Sequence, residues 1–254
     1  MPSRCEQLPD RFVGTQWQPP DRQEEEEALR LATPEVVVAA LSPVLGPARA
    51  ARLDEVVAAR LGGLTVVLER LHDPHNGAAA LRSCEAAGLI EVHVVEQGEP
   101  FRVSPRVTQG CDKWLDVVRH DSSESCLEEL RRRGFGLYAA VPGANQQLET
   151  LDPRMPAAFV LGNEHEGLSM ATRAACDAEI SIPLWGFSRS LNLSVAAALL
   201  VHTHAARRRQ ALGRAGDLSE REQLHLRARY YARDVRGAAG IVQRYLTRAC
   251  PPPG

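Results

Sequence analysis

Apolar residues fall in short runs separated by turns, and their periodicity changes along the chain. Residues 64–69, Leu-Thr-Val-Val-Leu-Glu, read as an apolar, β-branched run, the pattern of a strand covered on both faces. Similar runs predict strands at 90–95, 115–119, 135–141, 157–161 and 178–182. Between them, helical spacing predicts helices over 76–87, 123–133, 168–175 and 191–209. This alternation implies an α/β protein with a mainly parallel sheet and helices on both faces. One or two helices are predicted over 36–60, broken at Ser42-Pro43 and Gly46-Pro47, and two more near 219–233 and 236–247. Residues 1–35 hold Pro19-Pro20, a charge run and few apolar positions, so they are expected to be weakly structured. The expected organisation is therefore an acidic, mobile extension (1–35), a helical segment (36–60), the α/β domain (61–209) and a helical extension (210–254).

Charge changes that picture more than composition does. A net charge of −2 argues against a generic nucleic-acid binder. Its distribution is uneven, however. Residues 1–35 carry eight acids against four arginines, whereas residues 206–250 carry eleven arginines against four acids. The carboxy-terminal segment could thus lie along phosphates. Lys113 is the only lysine. Six cysteines lie scattered without Cys-x-x-Cys pairs, and the pairs His72/His75 and His202/His204 lack further ligands at metal spacing, so neither disulfides nor a metal is expected. No apolar run reaches membrane length and Met-Pro-Ser-Arg-Cys-Glu is not a signal peptide, which points to the cytoplasm.

The chemistry-bearing residues gather at strand ends, where unpaired backbone groups can hold a ligand. After the strand at 64–69 comes His72-Asp-Pro-His-Asn76, and Arg82 follows six residues later, just under two turns on, a spacing read as placing Asn76 and Arg82 on roughly the same side. Asn76 can also serve as a helix cap, with Gly88 as the stop. After the strand at 157–161 comes a loop, Gly162-Asn-Glu164-His-Glu-Gly167, with glycine at both ends and a carboxylate inside. After Ile182 comes Ser190-Leu191-Asn192-Leu-Ser194, which reads equally as ligand site or helix cap. No Gly-x-Gly-x-x-Gly follows a strand, and neither a P-loop nor Gly-x-Ser-x-Gly is present.

In this order the three segments resemble the signature motifs of the SPOUT superfamily, in its SpoU/TrmH branch of RNA ribose 2′-O-methyltransferases. Asn76 and Arg82 fit the first motif, Gly162, Asn163, Glu164 and Gly167 the second, and Ser190, Leu191 and Asn192 the third. Gln109-Gly-Cys-Asp-Lys113-Trp114 is similar to a Gly-x-x-Lys-Trp segment of the TrmH subfamily. The resemblance spans about residues 45–210, and the wording of the first motif looks nearest to the enzymes that methylate a tRNA D-loop guanosine.

That resemblance implies a SPOUT fold with a deep trefoil knot in the carboxy-terminal part of the sheet, an exception to unknotted connections. It implies S-adenosylmethionine held by backbone groups of Ala140, Gly162, Ile182 and Leu191, tRNA as partner, and a homodimer. Arg82 would activate the 2′-hydroxyl, with Asn76, Glu164, Ser190 and Asn192 around it. A literal arginine base costs about 7 kcal/mol at neutral pH, so gripping a phosphate and stabilising the oxyanion is the equal alternative. Lys113 and Arg207, Arg208 and Arg209 would contact RNA. Ribosomal RNA as substrate, or a catalytically silent RNA-binding factor on the same scaffold, are the alternative functions.

Overall fold

The computed structural model describes residues 21–96 and 110–249. The strands are β1 (Leu64–Glu69), β2 (Glu91–Val95), β3 (Asp116–His120), β4 (Gly136–Ala140), β5 (Gln146–Gln147), β6 (Ala157–Leu161) and β7 (Ala178–Ser181). They form one parallel sheet in the order β3-β2-β1-β6-β4-β7-β5. The helices are α1 (Asp21–Leu31), α2 (Pro34–Leu45), α3 (Pro47–Ala58), α4 (Pro74–Ala86), α5 (Ser123–Arg132), α6 (Met170–Ala175), α7 (Leu193–Leu212), α8 (Glu220–Asp234) and α9 (Ala238–Ala249). None is long and apolar enough to cross a membrane.

The strands are buried on both faces because consecutive side chains go to opposite sides. Leu64, Val66 and Leu68 of β1 and Ala157, Phe159 and Leu161 of β6 pack with Leu81 of α4 and Leu200 of α7. Val67, Ala158 and Val160 turn the other way, onto Leu127 and Leu130 of α5. The α/β arrangement expected from the run lengths is thus present, with most boundaries within two residues. Two-residue β5 lies below what periodicity can reveal.

A second core sits beside the sheet. Ala28 of α1, Val37 and Leu41 of α2, Val57 of α3, Leu226 and Tyr230 of α8 and Val242 of α9 pack together. This overturns the expectation for part of the amino-terminal extension: residues 21–31 form a helix, whereas residues 1–20 lie outside the described residues. The charge run stabilises that helix through the fold. Glu25 accepts hydrogen bonds from Arg229 Nε (2.6 Å) and from Arg233, and Asp116 accepts from Arg229 Nη2 (2.7 Å), Arg233 Nη2 (2.8 Å) and Arg22. Glu25 of the acidic segment and two arginines of the basic one therefore pair inside the molecule. Local sequence contains no trace of that pairing.

The expected break at Ser42-Pro43 is absent as well. The helix α2 runs through Pro43 to Leu45, and the break comes at Gly46 (φ +75°), with Pro47 opening α3.

His204 is fully buried on α7, edge-on to Phe159, and neither ring nitrogen has a hydrogen-bond partner among the described residues. Burial pushes its pKa down from 6.5 to about 4, helped by Arg207 and Arg208. A base with a depressed folded pKa stabilises the fold fully above pH 6.5, and that contribution is lost as pH falls towards 4. His204→Leu is expected to leave the melting temperature at pH 7 unchanged or raise it. It should also remove about 3 kcal/mol of the stability lost between those pH values. Melting curves for both proteins across that range check it; parallel pH profiles would sink it.

Candidate cofactor and RNA site

Three loops leave the same end of the sheet and are drawn together by their own polar side chains. Asp73 caps α4 by accepting from His75 N (2.8 Å), with Pro74 as first helical residue. Asn76 is therefore not the cap it was expected to be. It lies within the first turn, so its side chain is free to reach outward. The loop after β6 folds on itself: Asn163 Oδ1 accepts from His165 N (2.9 Å) and Glu166 N (2.6 Å), and Gly167 N donates to Asn163 O (3.1 Å). Gly167 takes φ +68° to close that turn. Asn192 caps α7, accepting from Ser194 N (2.9 Å) and Ser194 Oγ (2.6 Å).

These elements meet in one hydrogen-bonded chain. Asn192 Nδ2 donates to Asn76 Oδ1 (2.9 Å), and Asn76 Nδ2 donates to Glu164 Oε1 (2.7 Å). The cap reading of Asn192 thus holds, and its amide also ties α7 to the first motif loop. Glu164 Oε2 is buried with no partner among the described residues, and Ser190 is exposed at the rim. Glu69, at the end of β1, braces the same region. Its carboxylate accepts from Ser123 Oγ, Thr172 Oγ1, Ser169 N and Ser169 Oγ. Burial alone would raise its pKa, but the Ser123 and Thr172 hydroxyls and the Ser169 amide hold it below the usual carboxylate range.

A cavity of about 290 Å³ opens between these loops. Ala140, Gly162, Ile182 and Leu191, the four positions expected to hold the cofactor through their backbone, all line it, as do Glu164 and Ser190. Asn163, Leu184 and Pro142 also line it; apolar loop residues carry no chemical signal, so sequence reasoning passed over the last two. A Cβ at Gly162 would fall on the backbone of Gly167 and Leu168. Gly162→Ala must therefore displace the loop, at an overpacking cost of about 1–3 kcal/mol. Cofactor affinity, measured by calorimetry, is expected to fall roughly 5- to 150-fold. Unchanged affinity would show that this loop is not the cradle.

Arg82 does not join the chain. Six residues advance a helix by about 600°, roughly 120° short of two turns, so Asn76 and Arg82 diverge rather than share a side. Arg82 is exposed, and among the described residues it makes no hydrogen bond or ion pair.

The expected RNA-binding arginines need correction. Arg207 donates to the carbonyls of Leu148 (2.9 Å), Glu149 (2.7 Å) and Leu151 (3.1 Å). Arg208 is buried between Asp217 (2.7 Å) and the carbonyls of Pro153 (2.8 Å) and Met155 (2.9 Å). Arg209 reaches the carbonyls of Ala59 (3.0 Å), Ala87 (2.9 Å) and Ala215 (2.7 Å). All three clamp backbone carbonyls of turns and element ends within the fold. Lys113 is tied to Asp234 (3.2 Å) over the Trp114 ring, beneath which the Tyr230 hydroxyl donates to Trp114 O. Of the tail, Arg221, Arg236, Arg244 and Arg248 remain exposed.

Among the described residues, the potential ligand atoms that converge belong to other side chains than the two histidine pairs singled out in the sequence. His93, His120 and Cys126 do bring ligand atoms within 4.8 Å of one another, although they are far apart in sequence. The two rings stack and share a hydrogen bond of 2.8 Å, and burial pushes the Cys126 thiol far up, so this corner is a tightly packed cluster.

Residues 63–202 match the SpoU rRNA Methylase family. A tRNA (guanosine(18)-2′-O)-methyltransferase of Borreliella burgdorferi is 30% identical over 202 residues, 78% of this chain and 91% of that protein. Among solved structures, the Aquifex aeolicus TrmH/SpoU tRNA modifying enzyme superposes with a TM-score of 0.66 at 30% identity, over 74% of this chain and 97% of its own. The SpoU methyltransferase AviRb from Streptomyces viridochromogenes, in complex with AdoMet, gives 0.55 at 26% identity, over 62% of this chain and 64% of its own.

Proposed function

The chain belongs to the SpoU family of RNA methylases, and on that premise we propose that it methylates the ribose 2′-hydroxyl of a D-loop guanosine in tRNA. S-adenosylmethionine, the methyl donor of this family, supplies an electrophilic methyl group on a sulfonium. The observation that carries the reading is the Glu164–Asn76–Asn192 chain, which ties three separate motif loops around the cavity. The cavity suits a nucleoside: small and apolar residues such as Ala140, Gly162, Ile182 and Leu191 line it beside the polar Asn163, Glu164 and Ser190, and Gly162 leaves room where any side chain would intrude. Ala140, Gly162, Ile182 and Leu191 would hold adenine and ribose. Glu164 Oε2, buried and without a partner among the described residues, would accept a hydrogen bond there.

Arg82 stands outside this chain with its guanidinium unengaged among the described residues. That placement favours gripping the target phosphate and stabilising the developing oxyanion over acting as a base. Asn76, Glu164 and Asn192 position the loops, and Ser190 meets the nucleotide at the rim. The loops following β4, β6 and β7 would be threaded as the trefoil knot of the SPOUT fold. Trp185 and Phe187 are almost fully exposed between β7 and α7, and Val195 and Leu199 are exposed on the first turns of α7. An apolar patch of this kind at a site's edge suits a second copy of the chain, giving a cytoplasmic homodimer.

Purified protein incubated with labelled S-adenosylmethionine and unmodified tRNA transcripts is expected to yield 2′-O-methylguanosine in the D-loop. Label only on ribosomal RNA would move the substrate and keep the chemistry. Failure to bind the cofactor would overturn the reading.

A further inference from the structure

Arg70 is the one non-glycine residue with positive φ (+52°) among the described residues. It occupies the first position after β1, immediately before the first motif, and its amide donates to Val95 O (3.0 Å), which holds the bent backbone against β2. A left-handed arginine costs of order 1–3 kcal/mol, and such strain collects where a side chain must be aimed.

The aim is visible in three rungs joining the first and second motif loops. Glu164 bonds Asn76 (2.7 Å), the His165 and His72 rings lie 6.2 Å apart, and Glu166 pairs with Arg70 Nη1 (3.3 Å). The inner rung is a firm hydrogen bond, whereas the outer one is loose. Glu166 lines the cavity, so its partner Arg70 stands at the rim. The Glu166 side chain is 67% exposed and that of Arg70 26%, so the pair is worth about 0–1 kcal/mol. Arg70 Nε has no partner among the described residues. Adjacent Glu69 attracts Arg70 through space, but its carboxylate oxygens are already engaged by Ser123, Ser169 and Thr172.

We propose that Arg70 is an RNA-backbone contact of the methylation site, parked on Glu166 until a phosphate of the substrate takes its place. The proposal rests on the function proposed above. Exchange is favourable because a phosphate offers the guanidinium a charge-assisted, two-pronged acceptor, stronger than one strained bond to an exposed carboxylate. Glu166 then acts as an internal competitor that lowers affinity for RNA.

Arg70→Gly tests this without risking the fold, since glycine adopts φ +52° freely. Its melting temperature is expected to match or exceed that of the wild type. KM for tRNA should rise about tenfold, with kcat and cofactor affinity nearly unchanged. The salt dependence of tRNA binding should lose about one unit of slope. Glu166→Gln is expected to tighten tRNA binding a fewfold. A lower melting temperature with unchanged KM and slope would make the pair a structural staple and overturn the proposal. Weaker binding in Glu166→Gln would overturn the competition. Wild-type turnover on the same tRNA is the control: its absence would instead overturn the proposed function.

Discussion

Arg82→Ala is expected to lower kcat by at least about 10²–10³-fold while leaving cofactor affinity within about twofold, because removing one transition-state charge contact has that size of effect. The separation follows from position. Arg82 is exposed on α4, makes no hydrogen bond or ion pair among the described residues, and does not line the cavity. Nothing that shapes the cofactor site or the core depends on it, so the melting temperature should stay within the range of an ordinary surface change. Arg82→Lys keeps the charge and loses the planar fork, so it should recover only part of the activity if the group grips a phosphate in two places. Single-turnover rates with saturating tRNA, beside calorimetric cofactor titration, check both variants. Joint loss of turnover and cofactor binding would remove Arg82 from the transferring end of the site.

Asp116→Ala is expected to be the most destabilising single change outside the sheet core. Asp116 is shared by Arg22, Arg229 and Arg233, so its removal takes a carboxylate from three guanidinium groups at once. Breaking a buried ionic cluster by deleting one partner costs about 3–5 kcal/mol, or roughly 10 °C in a domain of this size. Burial by itself would raise the Asp116 pKa, but Arg229, Arg233 and Arg22 hold it far below the usual carboxylate range. A depressed carboxyl stabilises the fold above its unfolded pKa, so this contribution is complete at neutral pH and is lost as pH falls below about 4. Thermal unfolding and limited proteolysis of the amino-terminal helix measure the effect. An unchanged melting temperature would show that α1 is held by its apolar contacts alone.

Much of the fold was legible in the sequence, for identifiable reasons. The strands β1 and β6 are continuous apolar runs, and a parallel sheet buried on both faces demands that composition. Short-range rules also located the motif loops, because glycine and capping residues must stand where a strand hands over to a helix. The wording of those loops was specific enough to indicate a family and four cofactor positions, and all four line one cavity.

Other features depend on groups that meet only in three dimensions. Residues 21–31 looked like a solvated charge run, and became a helix because Glu25 is neutralised by Arg229 and Arg233, more than 200 positions away. Arg207, Arg208 and Arg209 looked like a phosphate-binding cluster, yet they clamp backbone carbonyls that tertiary packing brings beside them. Asn76 looked like a cap beside Arg82, yet it links Glu164 to Asn192 while Arg82 points elsewhere. Sequence by itself determined the periodicity of the elements, the turns between them and the residues available for chemistry, since these follow from local sterics and apolar patterning. Tertiary structure alone decided which charges were buried, which were left for a ligand and which loops shared a cavity, because an ion pair or hydrogen bond depends on distance in space, and side-chain type does not encode that distance.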